Sequence, residues 1–452
     1  MSYTPHTDAD RAAMLEVIGV PSIDELFCSL PIDARLKQPL SLPSGMDEAT
    51  LGRHMRELAR ANTSTDEAIS FLGAGVYDHH VPAVVDALAS RGEFATAYTP
   101  YQPELSQGML QAIYEFQSLI CILTGMDLAN ASMYDGATAM AEAALMCVDM
   151  TGRRRVVVSR TVHPHYRQVL RTYLKAADAC YVEIGCGDGR SDLAELHNAI
   201  AMETAAVLVQ SPNFLGVIED LHGISGICRD RGVQSVIAVD PHSLALLEPP
   251  GAYGFDVVVG EAQSFGCPMG FGGPLLGFFA CRQNLIRRFP GRIVGRTHDS
   301  EGRRGFTMTL RTREQDIRRE RATSNICTNE ALLALAATIH LAALGPEGLK
   351  GVAHLCLQKA HYAAGLLGAI PGIGIPIQHP FFKEFVIRID TRFAVPDISR
   401  ALRDRGIIGG FWLGEAYPEY HDCLLVCVTE NRSRADIENF AASLADIMAG
   451  GL

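Results

Sequence analysis

Short runs of apolar, largely β-branched residues alternate with helix-like stretches over residues 64–328, and this alternation constrains the fold more than any other feature of the sequence. The runs are Arg155 to Ser159, Ala205 to Gln210, Ser235 to Val239, Asp256 to Gly260 and Leu275 to Ala280. Continuous apolar runs of this length suit strands that are covered on both faces. We therefore expect an α/β domain built on a mostly parallel central sheet.

The pattern differs on either side of this region. Residues 1–63 contain short helix-like segments and turns, which predict an N-terminal helical arm. A helix is predicted over residues 328–344, because Gly345 can take the left-handed conformation that ends a helix. Strand-like segments at 384–389 and 423–428 predict a smaller α+β unit after it. The predicted domains are therefore 1–63, 64–328 and 329–452.

Composition excludes several classes of protein. A chain of 452 residues that is 48% hydrophobic can bury a large core in more than one domain. Its formal charge of −12 would repel a phosphate backbone, so nucleic acid is not an expected partner. We find no signal-like segment and no run of eighteen apolar residues, so membrane insertion is not expected. The twelve cysteines form no CxxC pair, which is typical of a reducing compartment and predicts a cytoplasmic location.

The segment Asn130 to Ala143, which reads NASMYDGATAMAEA, is the first candidate site. A polar turn with Gly136 and Thr138 leads directly into a helix of small residues. Free backbone amides at such a helix start can hold a phosphate. The same pattern also suits an ordinary N-capped helix.

Asp240 ends a predicted strand, and the stretch Glu261 to Pro274 follows the next one with the sequence EAQSFGCPMGFGGP. In this order the elements are similar to those of fold-type I pyridoxal-phosphate enzymes of the aspartate aminotransferase type. There an aspartate holds the pyridinium nitrogen protonated and a lysine on the next loop binds the cofactor covalently. The resemblance implies a large α/β domain of that type with a small C-terminal α+β domain.

The cofactor lysine is missing from this pattern. Alignment of the Ser-Phe and Gly-Gly-Pro elements puts Gln263 in its place, and no lysine lies between Lys175 and Lys350. Because the amide nitrogen of glutamine is not nucleophilic, Gln263 cannot form the covalent bond to the cofactor. Asp240 then also has a second interpretation, as a solvated carboxylate at a strand end.

Histidine pairs and two other segments are weaker candidates. His163 and His165 flank a proline without a carboxylate or cysteine partner, so we expect one ring to stack or hydrogen-bond in a cavity rather than to bind metal. The adjacent histidines His79 and His80 are similarly interpreted as part of a loop.

The loop of residues 96–107 holds two tyrosines and two prolines and suits either an interface or a structural Ω-like loop. The arginine-rich run 303–321 suits carboxylate binding or salt bridges.

Seven strings along the chain together resemble the first subunit of the split glycine decarboxylase, the P-protein family of the glycine cleavage system. They are MLEVIGVPSIDELF, TAYTPYQPELSQG, NASMYDGATAMAEA, VHPHYRQVLRTY, QSPNFLGVIED, GRIVGRTHD and TREQDIRRERATSNICTN. The resemblance implies that the chain is inactive alone and pairs with a homologous second subunit carrying pyridoxal 5'-phosphate, as an α2β2 heterotetramer. Such an enzyme decarboxylates glycine and transfers the aminomethyl group to the lipoyl H-protein.

The resemblance also implies roles for individual residues. A relic cofactor pocket is expected at Gly136, Ala137, Thr138, His165, Asp240, His242 and Gln263. His242 follows Pro241 where active family members have a small Gly-Ala pair, so a cofactor ring would meet a bulkier side chain. No catalytic residue and no metal ligand is expected on this chain.

The interface with the partner is expected at Tyr98, Thr99, Tyr101, Gln102 and Glu104. Two alternatives remain open from the sequence. One is an autonomous pyridoxal-phosphate enzyme that uses a distant lysine. The other is a non-enzymatic scaffold or regulator that has kept an enzyme's fold.

Overall fold

The computed structural model describes residues 5–36, 38, 40–95, 99–270, 272–390, 392 and 394–450. The chain divides into two compact units, Met1–Thr63 and Ser64–Leu452. The second unit contains both the seven-stranded and the four-stranded sheet of the protein.

The first unit is helical. Its α-helices are Asp8–Ile18 and Glu48–Arg60, and its short 3₁₀ helices are Ile23–Phe27 and Ile32–Ala34. The helix Asp8–Ile18 begins with a capping box, in which the Thr7 side chain accepts from the Asp10 backbone and the Asp10 side chain accepts from Thr7. Neither α-helix contains a buried residue. These two helices therefore contribute no buried residue to a core.

A seven-stranded sheet forms the centre of the second unit. In spatial order its strands are Leu128–Ala129, Gly277–Cys281, Val257–Glu261, Gln234–Val239, Thr204–Gln210, Arg155–Ser159 and Cys180–Ile184. The last five run parallel to one another, whereas Gly277–Cys281 is antiparallel to both of its neighbours. The predicted mostly parallel sheet is confirmed, with each of the five predicted strands in place to within two residues at either end.

Alternate residues of these strands enter two separate cores. Val157 packs in one apolar cluster, while its neighbours Val156 and Val158 pack in another on the opposite face. All three side chains are fully buried. Because both faces are covered, the strands carry continuous rather than alternating apolar residues.

Helices cover this sheet and continue beyond it. In the second unit, the helices that precede residue 331 are Ala83–Ala89, Gly92–Ala95, Gln107–Thr124, Gly136–Thr151, Pro164–Ala176, Leu193–Ala199, Leu221–Arg231, Pro250–Tyr253 and Gln315–Arg318. The two-stranded hairpin of Ile293–His298 and Arg304–Thr309 lies between the last two of these helices in the chain. Helices between successive parallel strands are the expected connection in an α/β domain.

The longest helical element, Ala331–Gly368, consists of two segments that meet at Gly345. This residue has φ 60° and ψ −177°, and Pro346 follows it. The predicted end of the first segment is therefore confirmed. The element is long and apolar enough to cross a membrane by length and composition. Ala334, Ala337 and Leu341 nevertheless pack in the core beside the central sheet, and a core helix satisfies the same criterion.

A four-stranded antiparallel sheet follows this helix. Its strands, in spatial order, are Ile373–Gly374, Glu384–Ile389, Cys423–Cys427 and Phe411–Trp412. The helices Val395–Arg403 and Arg434–Met448 accompany it, and the second begins with a capping box of Ser433 and Asp436. Residues 69–70, which the sequence assigned to the large domain, pair in parallel with Ile407–Ile408 of this C-terminal part. The start of the second unit therefore pairs with the C-terminal part of the chain and not with the central sheet.

Candidate functional site

Asp240 and Lys383 form an ion pair at the junction of the two sheets. Asp240 directly follows the central strand Gln234–Val239, and Lys383 directly precedes the strand Glu384–Ile389. The Lys383 Nζ atom lies 2.7 Å from the Asp240 Oδ2 atom, and the two side chains are 1% and 9% exposed. Burial would lower the pKa of Lys383, but the charge and hydrogen bond of the Asp240 carboxylate hold it above its usual range. The lysine is therefore charged.

A chain of hydrogen bonds continues from Lys383. Its Nζ atom lies 3.0 Å from Nε2 of His79, and Nδ1 of His79 lies 2.7 Å from Oε2 of Glu430. Burial and the nearby Lys383 charge both lower the pKa of His79, so its ring is neutral. A neutral imidazole donates from one nitrogen and accepts at the other. Nδ1–H then donates to the Glu430 carboxylate, and Nε2 accepts from the ammonium.

The ring of Tyr77 covers the ammonium of Lys383. The Nζ atom lies 3.5 Å from the ring centroid, which is close enough for a cation–π interaction. The Tyr77 hydroxyl donates to Oε2 of Glu384 at 2.9 Å, and the Ala74 amide donates to Oε1 of the same carboxylate at 2.7 Å. Burial raises the pKa of Glu384 to about 7. Residues 74–77 therefore contact the beginning of the strand Glu384–Ile389.

Gln263 binds the backbone on two sides. Its Oε1 atom accepts from the Tyr77 amide at 3.1 Å, and its Nε2 atom donates to the carbonyl of Cys267 at 2.6 Å and to that of Tyr77 at 3.3 Å. The side chain is buried. The residue at the position of the missing lysine is thus a structural connection between two loops, a role that its amide group suits.

The helix start at Gly136 binds carboxylates of the protein. The Gly136 amide nitrogen lies 3.1 Å from Oε2 of Glu261, while Oε1 of Glu261 accepts from the amides of Gln263 at 2.9 Å and Leu276 at 2.6 Å. Asp135 caps the same helix, because its Oδ1 atom accepts from the Thr138 amide at 2.6 Å. Burial raises the pKa of Glu261 to about 7, against the effect of these three amide donors.

Tyr166 closes the space above this helix start. A Cβ atom added at Gly136 would lie 2.0 Å from the Tyr166 hydroxyl oxygen, so the two groups are in close contact. The Tyr166 ring stacks on His163, with centroids 5.0 Å apart. Ala137, also predicted in this segment, is buried.

Little free space remains at this site, which we call the Asp240 pocket. It is lined by Gly75, Tyr77, His163, Tyr166, Gln210, Pro212, Gly216, Ala238, Val239, Asp240, Pro241, Glu261, Phe382, Lys383 and Glu384. Its volume is about 30 Å³, which is enough for a very few water molecules. Pockets for small organic ligands are about ten or more times larger.

One of the two histidines that flank Pro164 lies in the pocket, as expected, but it is His163 and not the predicted His165. His163 lines the pocket, where its Nε2 atom bonds to the carbonyl of Ala74 at 2.8 Å. Burial lowers the pKa of His163 to about 4. His165 is exposed, because Pro164 starts a helix that turns the next side chain outward. His242 is buried and stacks on His79 at 4.0 Å with the rings nearly parallel. His163, not His165, is therefore the pocket residue of this pair.

Donor atoms of His79, Cys356 and Glu430 lie within 4.8 Å of one another, which is close enough to consider a metal ion. The hydrogen bonds among them already account for the arrangement, since Cys356 donates to Glu430 at 3.4 Å and His79 to the same oxygen. The charged Lys383 ammonium on the other nitrogen of His79 would also repel a cation. This cluster is a hydrogen-bond network.

The predicted interface loop is described from Thr99 onward, and Tyr98 lies outside the described residues. Thr99 is half-buried, whereas Gln102 and Glu104 are exposed. Tyr101 is 45% exposed, and its hydroxyl accepts from Arg292 at 2.9 Å. The guanidinium groups of Arg292 and Arg311 lie 5.3 and 4.9 Å from its ring centroid. The ring thus has a fixed position at the surface.

The Asp240 pocket does not fit pyridoxal phosphate. Asp240, which would bind the ring nitrogen, is already paired with Lys383. The Gly136 amide, which would bind the phosphate, already donates to Glu261. A phosphate placed at the Gly136 amide would meet the Glu261 carboxylate that already accepts from this amide, and like charges repel. The remaining volume also excludes a pyridine ring. The sequence identified Asp240, Gly136 and Gln263 but missed Lys383, Glu261 and Tyr77.

Comparisons with known proteins agree over the whole chain. The family model described as glycine cleavage system P-protein matches residues 1–444. Probable glycine dehydrogenase (decarboxylating) subunit 1 of Desulforamulus reducens is 52% identical, with 99% of this chain and 100% of that protein covered. The protein of the same name from Moorella thermoacetica is 51% identical, with 99% and 100% covered.

Solved structures give the same result. A crystal structure of glycine decarboxylase (P-protein) of the glycine cleavage system, in inhibitor-bound form, has a TM-score of 0.91 at 46% identity and covers 99% of this chain and 100% of that chain. Mouse CSAD has a TM-score of 0.71 at 13% identity, with 95% and 93% covered, and shows the shared fold alone. The fold is therefore that of fold-type I pyridoxal-phosphate enzymes, and the chain belongs to the glycine cleavage system P-protein family.

Proposed function

We propose that this chain is the cofactor-free subunit of a glycine-decarboxylating P-protein. In this proposal a homologous second subunit carries pyridoxal phosphate on a lysine, and the present chain completes the enzyme without binding the cofactor. The ion pair of Lys383 with Asp240 is the observation that carries the proposal, because it uses the carboxylate that would otherwise bind the cofactor ring. The relatives' designation as subunit 1 supports the existence of a second subunit.

The finer features of the proposal follow the family resemblance. We propose an α2β2 assembly that passes the aminomethyl group derived from glycine to the lipoyl arm of the H-protein. We also propose a cytoplasmic location, which the twelve unpaired cysteines support. The loop from Thr99 to Glu104 is the proposed contact with the second subunit, and the exposed, fixed ring of Tyr101 supports it.

An autonomous enzyme that uses a distant lysine is not favoured. Lys383 does reach the pocket, but its ammonium is charged, buried and bound to Asp240, His79 and Tyr77. An amine must be neutral to act as a nucleophile, and this arrangement stabilises the charged form. A purely regulatory scaffold is likewise not favoured, because the similarity to glycine decarboxylase extends over 99% of the chain.

Expression with and without the second subunit tests the proposal. The chain alone should show no cofactor absorbance, no borohydride-dependent labelling and no exchange of bicarbonate into glycine. The copurified pair should exchange bicarbonate with glycine, and the cofactor should be found on the second chain by mass spectrometry after borohydride reduction. Labelling of a lysine in this chain, or exchange by this chain alone, would contradict the proposal.

A further inference from the structure

Two charged side chains of the protein lie where the fold-type I arrangement would put two groups of a cofactor. Lys383 is bonded to Asp240 at the end of a central strand, and Glu261 is bonded to the Gly136 amide at a helix start. In the first place a cofactor would present a protonated ring nitrogen, and in the second a phosphate. In its ionised form, each side chain carries a charge of the same sign as the group it would replace.

The lysine reproduces the hydrogen bond of a pyridinium group. Its ammonium donates a charged N–H to the Asp240 carboxylate over 2.7 Å, as a protonated ring nitrogen would. It is also enclosed, with the Tyr77 ring 3.5 Å away and His79 Nε2 at 3.0 Å. Asp240 therefore has a full partner without any ligand.

The glutamate reproduces the anion of a phosphate. Its two oxygens accept from three backbone amides, those of Gly136, Gln263 and Leu276. Gly136 begins a helix of sixteen residues, so the helix dipole also favours a negative group at this position. Glu261 thus satisfies donors that would be left for a bound anion.

We propose that Lys383 and Glu261 are built-in substitutes for a cofactor's ring nitrogen and phosphate, which keep the Asp240 pocket closed and join the strand Glu384–Ile389 to the end of the strand Gln234–Val239. The presence of Lys383 and Glu261 at these two positions explains how the fold retains a filled, charge-balanced pocket without a ligand. It depends on the geometry of this pocket and not on glycine cleavage. Failure of the paired enzyme to exchange glycine would leave it intact.

The phosphate position is tested with the full chain and inorganic phosphate. Glu261→Ala should free the three amides, so phosphate at constant ionic strength should raise the melting temperature of this variant by about 3 °C. The unmodified chain should show no such rise. Asp220→Ala is the matched control, because Asp220 caps another helix through the Gly223 amide at 2.9 Å and is exposed. No rise in the Glu261 variant, or an equal rise in the control, would overturn the assignment.

The ring-nitrogen position is tested by a double-mutant cycle. Lys383→Met and Asp240→Asn each leave one buried charge unpaired, so each should lower the melting temperature by about 5 °C or more. The double variant removes both charges and should lose less than either single variant. Asparagine keeps an acceptor for the His242 amide, which Asp240 binds at 3.1 Å. If the single variants do not fold, recovery of the double variant in soluble form supports the pairing. Additive losses, or a double variant that is no more soluble than the singles, would overturn it.

Discussion

The Nζ atom of Lys383 lies 2.7 Å from the Oδ2 atom of Asp240, and both side chains are almost fully enclosed by protein. A buried ion pair adds little net stability compared with an apolar pair of the same shape, but loss of one member costs about 3–5 kcal/mol. The two residues therefore constrain each other. They also make the pocket unsuitable for a cofactor even if a nucleophilic lysine were restored beside it.

Restoring that lysine is the first prediction. Gln263→Lys should not create a cofactor-bearing chain, because Lys383 and Glu261 would still fill the two binding positions. Incubation with pyridoxal phosphate followed by borohydride reduction and peptide mass spectrometry measures the outcome. The lysine-bearing second subunit, treated in parallel, is the positive control. Stoichiometric labelling at position 263 would contradict our description of the pocket.

Removal of the glutamine side chain should affect stability more than activity. Gln263→Ala leaves the half-buried amide of Tyr77 and the buried carbonyl of Cys267 without their side-chain partner. An unpaired buried group costs about 1–3 kcal/mol, so the free energy of unfolding should fall by roughly that amount. Glycine exchange by the assembled pair should persist below the melting temperature, since nothing covalent depends on Gln263. Denaturant unfolding and the exchange assay measure the two effects separately. Loss of exchange in a fully assembled, folded pair would show that Gln263 acts in the reaction.

The strands and helix starts were predictable because their signals are local. The run Arg155 to Ser159 is apolar on both faces and became a strand with the same ends. Ser433 and Asp436 stand three residues apart and form the capping box that this spacing predicts. Gly136 likewise begins its helix after Asp135, which caps it. Each pattern involves residues that are neighbours in the chain.

The contents of the pocket were not predictable in the same way. Lys383 and Glu430 meet His79 through the packing of the C-terminal sheet, and no spacing in the sequence connects them. No lysine lies between Lys175 and Lys350, and the lysine that reaches Asp240 comes from the C-terminal part of the chain. A signal did exist, because Lys383 and Glu384 interrupt a strongly apolar segment, PFFKEFVIRI, and charged residues in such a setting are buried only with partners. The aspartate that binds the lysine could be found only from the fold.

Tyr101 should contribute to association with the second subunit. Its ring is 45% exposed and held between Arg292 and Arg311. Truncation of an interfacial tyrosine at a hot spot costs about 2 kcal/mol, or roughly a thirty-fold increase in Kd. Tyr101→Ala should therefore weaken complex formation, as measured by sedimentation or calorimetry with the purified second subunit.

Tyr362→Ala is the matched control for this prediction. Tyr362 is 36% exposed and also lies against an arginine, Arg434, with 5.6 Å between the guanidinium carbon and the ring centroid. It belongs to the helix Ala331–Gly368 rather than to the interface loop. We expect no change in Kd for this variant. Equal effects of the two substitutions, or none for Tyr101→Ala, would remove the loop from the proposed interface.

His340 should make the stability of the chain depend on pH. It is 2% exposed, and within the described part of the chain neither ring nitrogen has a hydrogen-bond partner. Burial lowers the pKa of His340 to about 4 from an ordinary value of 6.5. Between these values the unfolded chain binds the proton and the folded chain does not. The free energy of unfolding is therefore unaffected by this titration above about pH 6.5. It falls by roughly 3 kcal/mol in all as the pH is lowered towards about 4.

His340→Leu removes this loss and replaces an unpaired imidazole with an apolar side chain of similar volume. At about pH 8 the variant should be as stable as the unmodified chain or more stable by about 1 kcal/mol, because an unpaired buried polar group is unfavourable. Its advantage should grow as the pH is lowered to about 5. Urea unfolding at a series of pH values measures this difference, and His354→Leu, exposed on the same helix, controls for the substitution itself. An advantage that is constant over this range, or a variant less stable than the unmodified chain at low pH, would contradict the assignment of a buried, neutral His340.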